Sequence, residues 1–227
     1  SLDPFLPQIL SGTLDVVKQH SLSLLVEWVE PGEQLETYLE LTRAHHIDGM
    51  ILMTPRTDDT GIRALEEADI PVVVMGYIPD CTLHSVDVDN FSAARTAVEH
   101  LVSLGHRQIA CITNAALPYT SAAQRLSGYR QALEDGGIPY DPALVREGDF
   151  EGKSGYSQLK TLHESGKKFS AAFVASDAVA LGAYTAIREA GLIIPDDISI
   201  VGFDDLPLSS LITPSLTTVR MPAREIA

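Results

Sequence analysis

The sequence predicts an α/β fold in which parallel sheets are covered by helices on both faces, and three observations point there. Along the whole chain, helical apolar spacing alternates with short runs that are apolar throughout. Such uninterrupted runs belong to strands buried on both faces, which is where parallel strands sit. Turn residues separate the two kinds of segment at most junctions.

Taken in order, Leu6, Ile9, Leu10, Leu14 and Val17 share one helical face, and residues 22–26 then read as a buried strand. After Pro31-Gly32, Leu35, Tyr38 and Leu39 mark a second helix, followed by a strand at residues 50–53. A third helix over residues 62–68 precedes Pro71 and the strand of residues 72–75. Ala94, Ala97, Val98 and Leu101 fall at i, i+3, i+4 and i+7, and Gly105 closes that helix. A strand follows at residues 109–112. Helices around residues 126–133 and 156–163 flank the turn-rich stretch of residues 136–142. Residues 171–174 form the next strand, Asp177 caps a helix carrying Ala180, Ala183, Tyr184 and Ile187 on one face, and residues 198–202 return as a strand. In open sheets of this class ligands bind beyond the carboxyl ends of the strands, which singles out Met53, Gly76, Thr113 and Asp204.

Composition excludes several classes of function. The chain has 227 residues, 45% of them hydrophobic, enough for one large core or two lobes. Its 16 Lys and Arg against 31 Asp and Glu give a net charge of -15, the wrong sign for a surface that neutralises phosphates or sits on anionic lipid. Cys81 and Cys111 are the two cysteines, far apart and without ligand-spaced partners, so neither a disulfide framework nor a zinc site is expected and a reducing cytosol is the simpler setting. No uncharged apolar run is long enough for a membrane span, and the first residues show no export signal.

The motifs that suggest chemistry at first sight do not hold up. Residues 148–154, Gly-Asp-Phe-Glu-Gly-Lys-Ser, have three residues between the glycines where a phosphate-binding loop needs four. Asp204 and Asp205 are neighbours in extended chain and point to opposite sides, so they cannot flank one bond; Asp204 can face a pocket while Asp205 braces the turn through Leu206-Pro207. His45 and His46 with Asp48 sit at a helix end, where imidazole complements the dipole, and no metal or cofactor is expected. Nothing demands catalysis. Arg125, Phe150 and Asp204 are better explained by binding: a planar fork of donors, a large ring in a loop, and a carboxylate that accepts from ligand hydroxyls or amines.

A family likeness runs through Glu99-His100-Leu101, Leu104-Gly105-His106-Arg107, Gln124-Arg125-Leu126-Ser127-Gly128-Tyr129 and Gly148-Asp149-Phe150. It continues in Ala175-Ser176-Asp177, in Pro195-Asp196-Asp197-Ile198-Ser199-Ile200-Val201-Gly202-Phe203-Asp204-Asp205, and in Pro214-Ser215-Leu216-Thr217-Thr218-Val219. Over nearly its whole length the sequence closely resembles LacI/GalR-type transcription regulators. The resemblance implies two Rossmann-like lobes of the periplasmic-binding-protein-like type I around an effector cleft, incomplete at both ends. Residues 1–88 would form the first lobe, 89–219 the second, and 220–227 the start of the return into the first. By the family's pattern the helix-turn-helix head, the hinge, the first strand and the final helix and strands lie outside this chain.

The family's cleft positions fall on Phe5, Leu6, Met53, Gly76, Tyr119, Ser121, Arg125, Phe150, Ser176 and Asp204. Met53 and Gly76 stand where several sugar-responsive members carry Asn and Asp, and Ser176 where some have Asn. The effector implied is a compact sugar or polyol ahead of a nucleoside, with polar contacts chiefly from the second lobe. Alanine at Arg125 or Asp204 is expected to abolish effector binding and leave the fold intact. The resemblance further implies a cytoplasmic homodimer that meets operator DNA only through the head. A periplasmic sugar-binding protein feeding a transporter is the alternative.

Overall fold

The computed structural model describes residues 5–43 and 46–227. Two parallel sheets organise them. The smaller, in the order β1-β2-β3, pairs Met50–Met53 (β1) with Val72–Met75 (β2) and that with His84–Val86 (β3). The larger has five strands in the order β5-β4-β6-β7-β8: Val145–Arg146 (β5), Ile109–Ile112 (β4), Ala171–Val174 (β6), Ser199–Asp204 (β7) and Thr217–Arg220 (β8). All its pairings are parallel. This is the α/β architecture the alternating pattern predicts.

Helices Asn90–Ser103 (α4) and Thr120–Asp135 (α5) cover one face of the larger sheet, where Ala94, Val98, Leu101 and Tyr129 pack on Ile109, Cys111, Phe173 and Phe203. Gly152–Glu164 (α6) and Asp177–Glu189 (α7) cover the other, where Leu159, Leu162, Ala183 and Ile187 meet Ala110, Ile112, Val174 and Ile200. Alternate residues of β4 and β6 therefore serve opposite cores, and both strands are buried throughout. That is why they read as unbroken apolar runs. Where α6 crosses α7 the backbones touch. A Cβ on Gly182 would lie 1.7 Å from the Gly152 carbonyl oxygen, and one on Gly155 would lie 1.8 Å from that of Val179.

On the smaller sheet, Leu52, Val72 and Val74 pack against Tyr38 of Gln34–Arg43 (α2) and Leu65 of Ile62–Glu66 (α3). Ile9 of Leu6–Gln19 (α1) and Ala223 of Ala223–Ile226 (α8) enclose Met75. The chain thus leaves the larger sheet after β8 and returns to α1, where Arg224 pairs with Asp15.

The strand predicted at residues 22–26 does not form. That segment has no ladder partner, and Leu22, Leu25, Val26 and Trp28 stand 56 to 70% exposed. An apolar run becomes a strand only where a neighbour takes its backbone groups, and among the described residues none lies beside this one. Three short strands escaped the periodicity, β3, β5 and β8, whose residues are exposed or half-buried rather than apolar throughout.

Candidate ligand-binding cleft

The carboxyl ends of the strands converge on one cavity of about 70 Å3. Thr54 and Pro55 follow β1, Gly76 follows β2 and Asp87 follows β3. Asn114, Phe150 and Ser176 come beyond β4, β5 and β6, Asp204 ends β7, and Met221 follows β8. Phe5, Asn90, Ser121 and Arg125 complete much of the lining.

Of the ten positions named from the sequence, Phe5, Gly76, Ser121, Arg125, Phe150, Ser176 and Asp204 line this cavity. Tyr119 stands one step back, edge-on to the Phe150 ring at 5.0 Å. Met53 packs into the apolar cluster of Ile9, Met75 and Ala223. Leu6 is half-buried as the first residue of α1. Asp87, Asn90 and Asn114 were missed. Each lies within four residues after a strand end, in the zone the carboxyl-end rule marks; Asp87 and Asn90 follow β3, which periodicity does not reveal, and Asn114 is the neighbour of Thr113, the residue singled out after β4.

Arg125 is 5% exposed and its donors are directed inward. Nε donates to Asn90 Oδ1 at 2.9 Å and Nη1 to the Ala175 carbonyl at 2.7 Å, while Nη1 lies 3.6 Å from Asp204 Oδ1. The guanidinium also sits 3.7 Å above the Phe203 ring. A buried cation needs such partners to offset its lost hydration. Asp87 accepts from Asn90 Nδ2 at 3.1 Å, and its carboxyl is pushed up, chiefly by loss of hydration and against the pull of the Val88 N–H and Arg125.

Asp177 does not cap its own helix. Wholly buried, its carboxylate accepts from Leu206 N at 2.9 Å, Ser209 Oγ at 2.6 Å and Thr218 Oγ1 at 2.6 Å. It thus braces the turn after β7, the part first given to Asp205, whose own N–H reaches Thr218 Oγ1 at 3.4 Å. Positive φ angles gather around the cleft: Thr54 at 50°, Phe150 at 67°, Asp204 at 117° and Asp205 at 57°. Gly76, at 131°, also leaves no space for a side chain, since a Cβ would lie 2.6 Å from Pro55 Cγ. Non-glycine residues held there cost on the order of 1–3 kcal/mol each and persist where the surroundings over-determine them.

A clasp spans the cleft's rim. Thr57 N donates to the Pro118 carbonyl at 2.8 Å and Thr120 N to that of Pro55 at 3.1 Å. Arg56, forked on Asp58, lies 4.5 Å above the Tyr119 ring. Tyr119 in turn abuts Phe150, so the clasp sets the ring that walls the cavity. Phe150→Gly should relieve the backbone strain and keep the melting temperature within about 3 °C. It should weaken ligand binding about tenfold or more, as read by calorimetric titration.

The remaining candidates have structural roles. In residues 148–154, Ser154 Oγ bonds Asp149 N and the Glu151 carbonyl, and Gly152 is pressed against α7. Among the described residues no cluster of His, Cys, Asp or Glu could hold a metal, and no helix is long and apolar enough to cross a membrane; His45 lies outside them.

With this geometry in hand, likeness to known proteins becomes informative. The family model of periplasmic binding protein-like domains matches residues 98–227. The chain is 34% identical to the HTH-type transcriptional repressor CytR of Escherichia coli over 99% of its own length and 66% of the relative's, so it spans just under two thirds of that protein. It superposes with a TM-score of 0.91 on a complex of the transcriptional regulator CelR with cellobiose, at 30% identity, covering 99% of this chain and 69% of that one. On a dimeric Lac repressor with a C-terminal deletion the TM-score is 0.86, at 33% identity, over 97% and 81% of the two chains. A match over more than half the chain, and relatives that share its fold at about a third of positions, lead to one assignment: the chain belongs to the LacI/GalR family, in whose periplasmic-binding-protein-like effector-binding domain it lies.

Proposed function

We propose that this chain is the effector-binding and dimerisation core of a cytoplasmic DNA-binding transcriptional regulator, taking a sugar or polyol in the cleft between two lobes, residues 1–88 with 220–227 and residues 89–219. The observation that carries the reading is the cavity at the carboxyl ends of both sheets, lined by Arg125, Phe150, Ser176 and Asp204 on one side and by Phe5 and Gly76 on the other. A ligand touching both sides differs in affinity between open and closed arrangements, which is what linkage requires. The space between the two sides is about 70 Å3. The CelR–cellobiose complex supports the same class by likeness.

The test begins with a thermal-shift screen of sugars, polyols and nucleosides. A true effector at a hundred times its Kd stabilises by about 2.7 kcal/mol and raises the melting temperature by about 5–10 °C. Operator affinity of the full-length protein is then measured by fluorescence anisotropy with and without that compound. A change of about 5–150-fold is expected, together with a dimer in sedimentation. Saturable binding that leaves DNA affinity untouched would favour a solute-binding protein instead, and turnover of the ligand would sink both readings.

A further inference from the structure

Strand register brings three polar residues of the lining into line. Ile112 lies opposite Val174 and Phe173 opposite Val201. Continued past the strand ends, the same register sets Asn114, Ser176 and Asp204 in one row across β4, β6 and β7. Neighbouring strands are about 4.8 Å apart, so adjacent groups of one small molecule can meet adjacent members of the row.

Asn114 is 3% and Ser176 2% exposed. Asn114 Nδ2 donates to Ser121 Oγ at 3.1 Å, but Asn114 Oδ1 and Ser176 Oγ, both in residues lining the cavity, have no hydrogen-bond partner among the described residues. A buried polar atom left unpaired costs about 1–3 kcal/mol, which a ligand's hydroxyl or amine would recover. The charged groups of the lining are two carboxylates, Asp87 and Asp204, and one guanidinium, Arg125, within a chain of net charge -15. That balance repels anions. Phe5, Pro55, Met75 and Phe150 supply apolar walls.

We propose that Asn114 is a specificity-determining residue of the cleft. With Ser176 it selects a neutral, donor-rich ligand over the phosphate ester or acid of that ligand. Adjacent hydroxyl or amino groups meet Asn114 Oδ1 and Ser176 Oγ while an apolar face lies along Phe150. This rests on the cleft being the effector site. It also goes beyond that reading, because it assigns discrimination to a residue outside the positions carried over from the family.

Calorimetric titration tests it with a panel of neutral sugars, polyols and nucleosides, each beside its phosphate ester or uronic acid. At least one neutral member should saturate the protein, and its charged counterpart should bind about tenfold or more weakly. Asn114→Leu keeps the backbone carbonyl that accepts from Phe150 N at 2.6 Å, and so keeps the loop in place. It should weaken the neutral ligand about tenfold or more, and Ser176→Ala, which adds no volume and serves should the leucine variant fail to fold, should do likewise. Unchanged binding by the folded variants, with loss in Phe150→Gly, would overturn the role of Asn114 and leave the cleft reading standing. Binding that survives all three substitutions would overturn the cleft reading itself. A panel in which only anions bind, or nothing does, overturns the ligand class.

Discussion

Arg125→Met is expected to abolish ligand binding, by about a hundredfold or more, and also to lower the melting temperature of the ligand-free protein by about 6–20 °C. The guanidinium ties Asn90 at the start of α4 to the Ala175 carbonyl beyond β6 and lies beside Asp204 and over Phe203. Removing it leaves a buried carbonyl and amide oxygen unpaired and takes the nearest cation from Asp204. Breaking a buried pair in this way costs about 3–5 kcal/mol. From sequence alone, alanine at this position is expected to leave the fold intact, since a fork of donors at a strand end suits a ligand. Much of that fork instead ties α4 to the strand ends of the larger sheet. Calorimetric melting and titration on the same variant separate the two effects, and a variant that melts like wild type while losing its ligand would contradict this role.

Asp177→Ala should be comparably damaging, with a loss of about 3 kcal/mol or more, or about 6–12 °C, because the Leu206 N–H and the Ser209 and Thr218 hydroxyls lose their shared acceptor at once. Asp177→Asn keeps an acceptor and should lose less. The pair also predicts a pH dependence. Burial raises the Asp177 carboxyl above the usual aspartate range, although its hydrogen bonds to Ser209, Thr218 and the Leu206 and Phe203 backbone pull the other way. The folded protein therefore binds that proton more tightly than the unfolded chain does. This contribution to stability is fully present below about pH 4, the ordinary aspartate pKa, and is lost as the pH rises through the folded-state value. Asparagine cannot ionise, so the gap between wild type and Asp177→Asn in melting temperature should widen in favour of wild type on going from pH 7 to pH 4. A gap independent of pH would refute the shift.

The sequence revealed the architecture wherever burial is two-sided. β4 and β6 are apolar at every position because both faces are covered, and their helices carry one apolar stripe each. It misled at residues 22–26, where apolar residues lack a strand partner, and was silent on β3 and β5, whose pairing follows from backbone position rather than side-chain pattern. In the cleft, Arg125, Phe150 and Asp204 were found from residue type and place after a strand. Asn114 was not, nor, outside the cleft, was the bracing role of Asp177. Asn114 needed the register across β4 and β6, and the role of Asp177 depends on partners 29 to 41 residues away in sequence.

The contact of α6 with α7 fixes the support behind Phe150. Where the carbonyls of Gly152 and Val179 fill the space of absent side chains, neither helix can slide without a collision of main chain with main chain. Phe150, two residues ahead of α6, is thus mounted on a fixed anvil. Residues 54–58 meet the other side through a few hydrogen bonds at a partly exposed rim. The two sides of the cavity are therefore held unequally, by main chain against main chain behind Phe150 and by a few hydrogen bonds at Pro55 and Thr57.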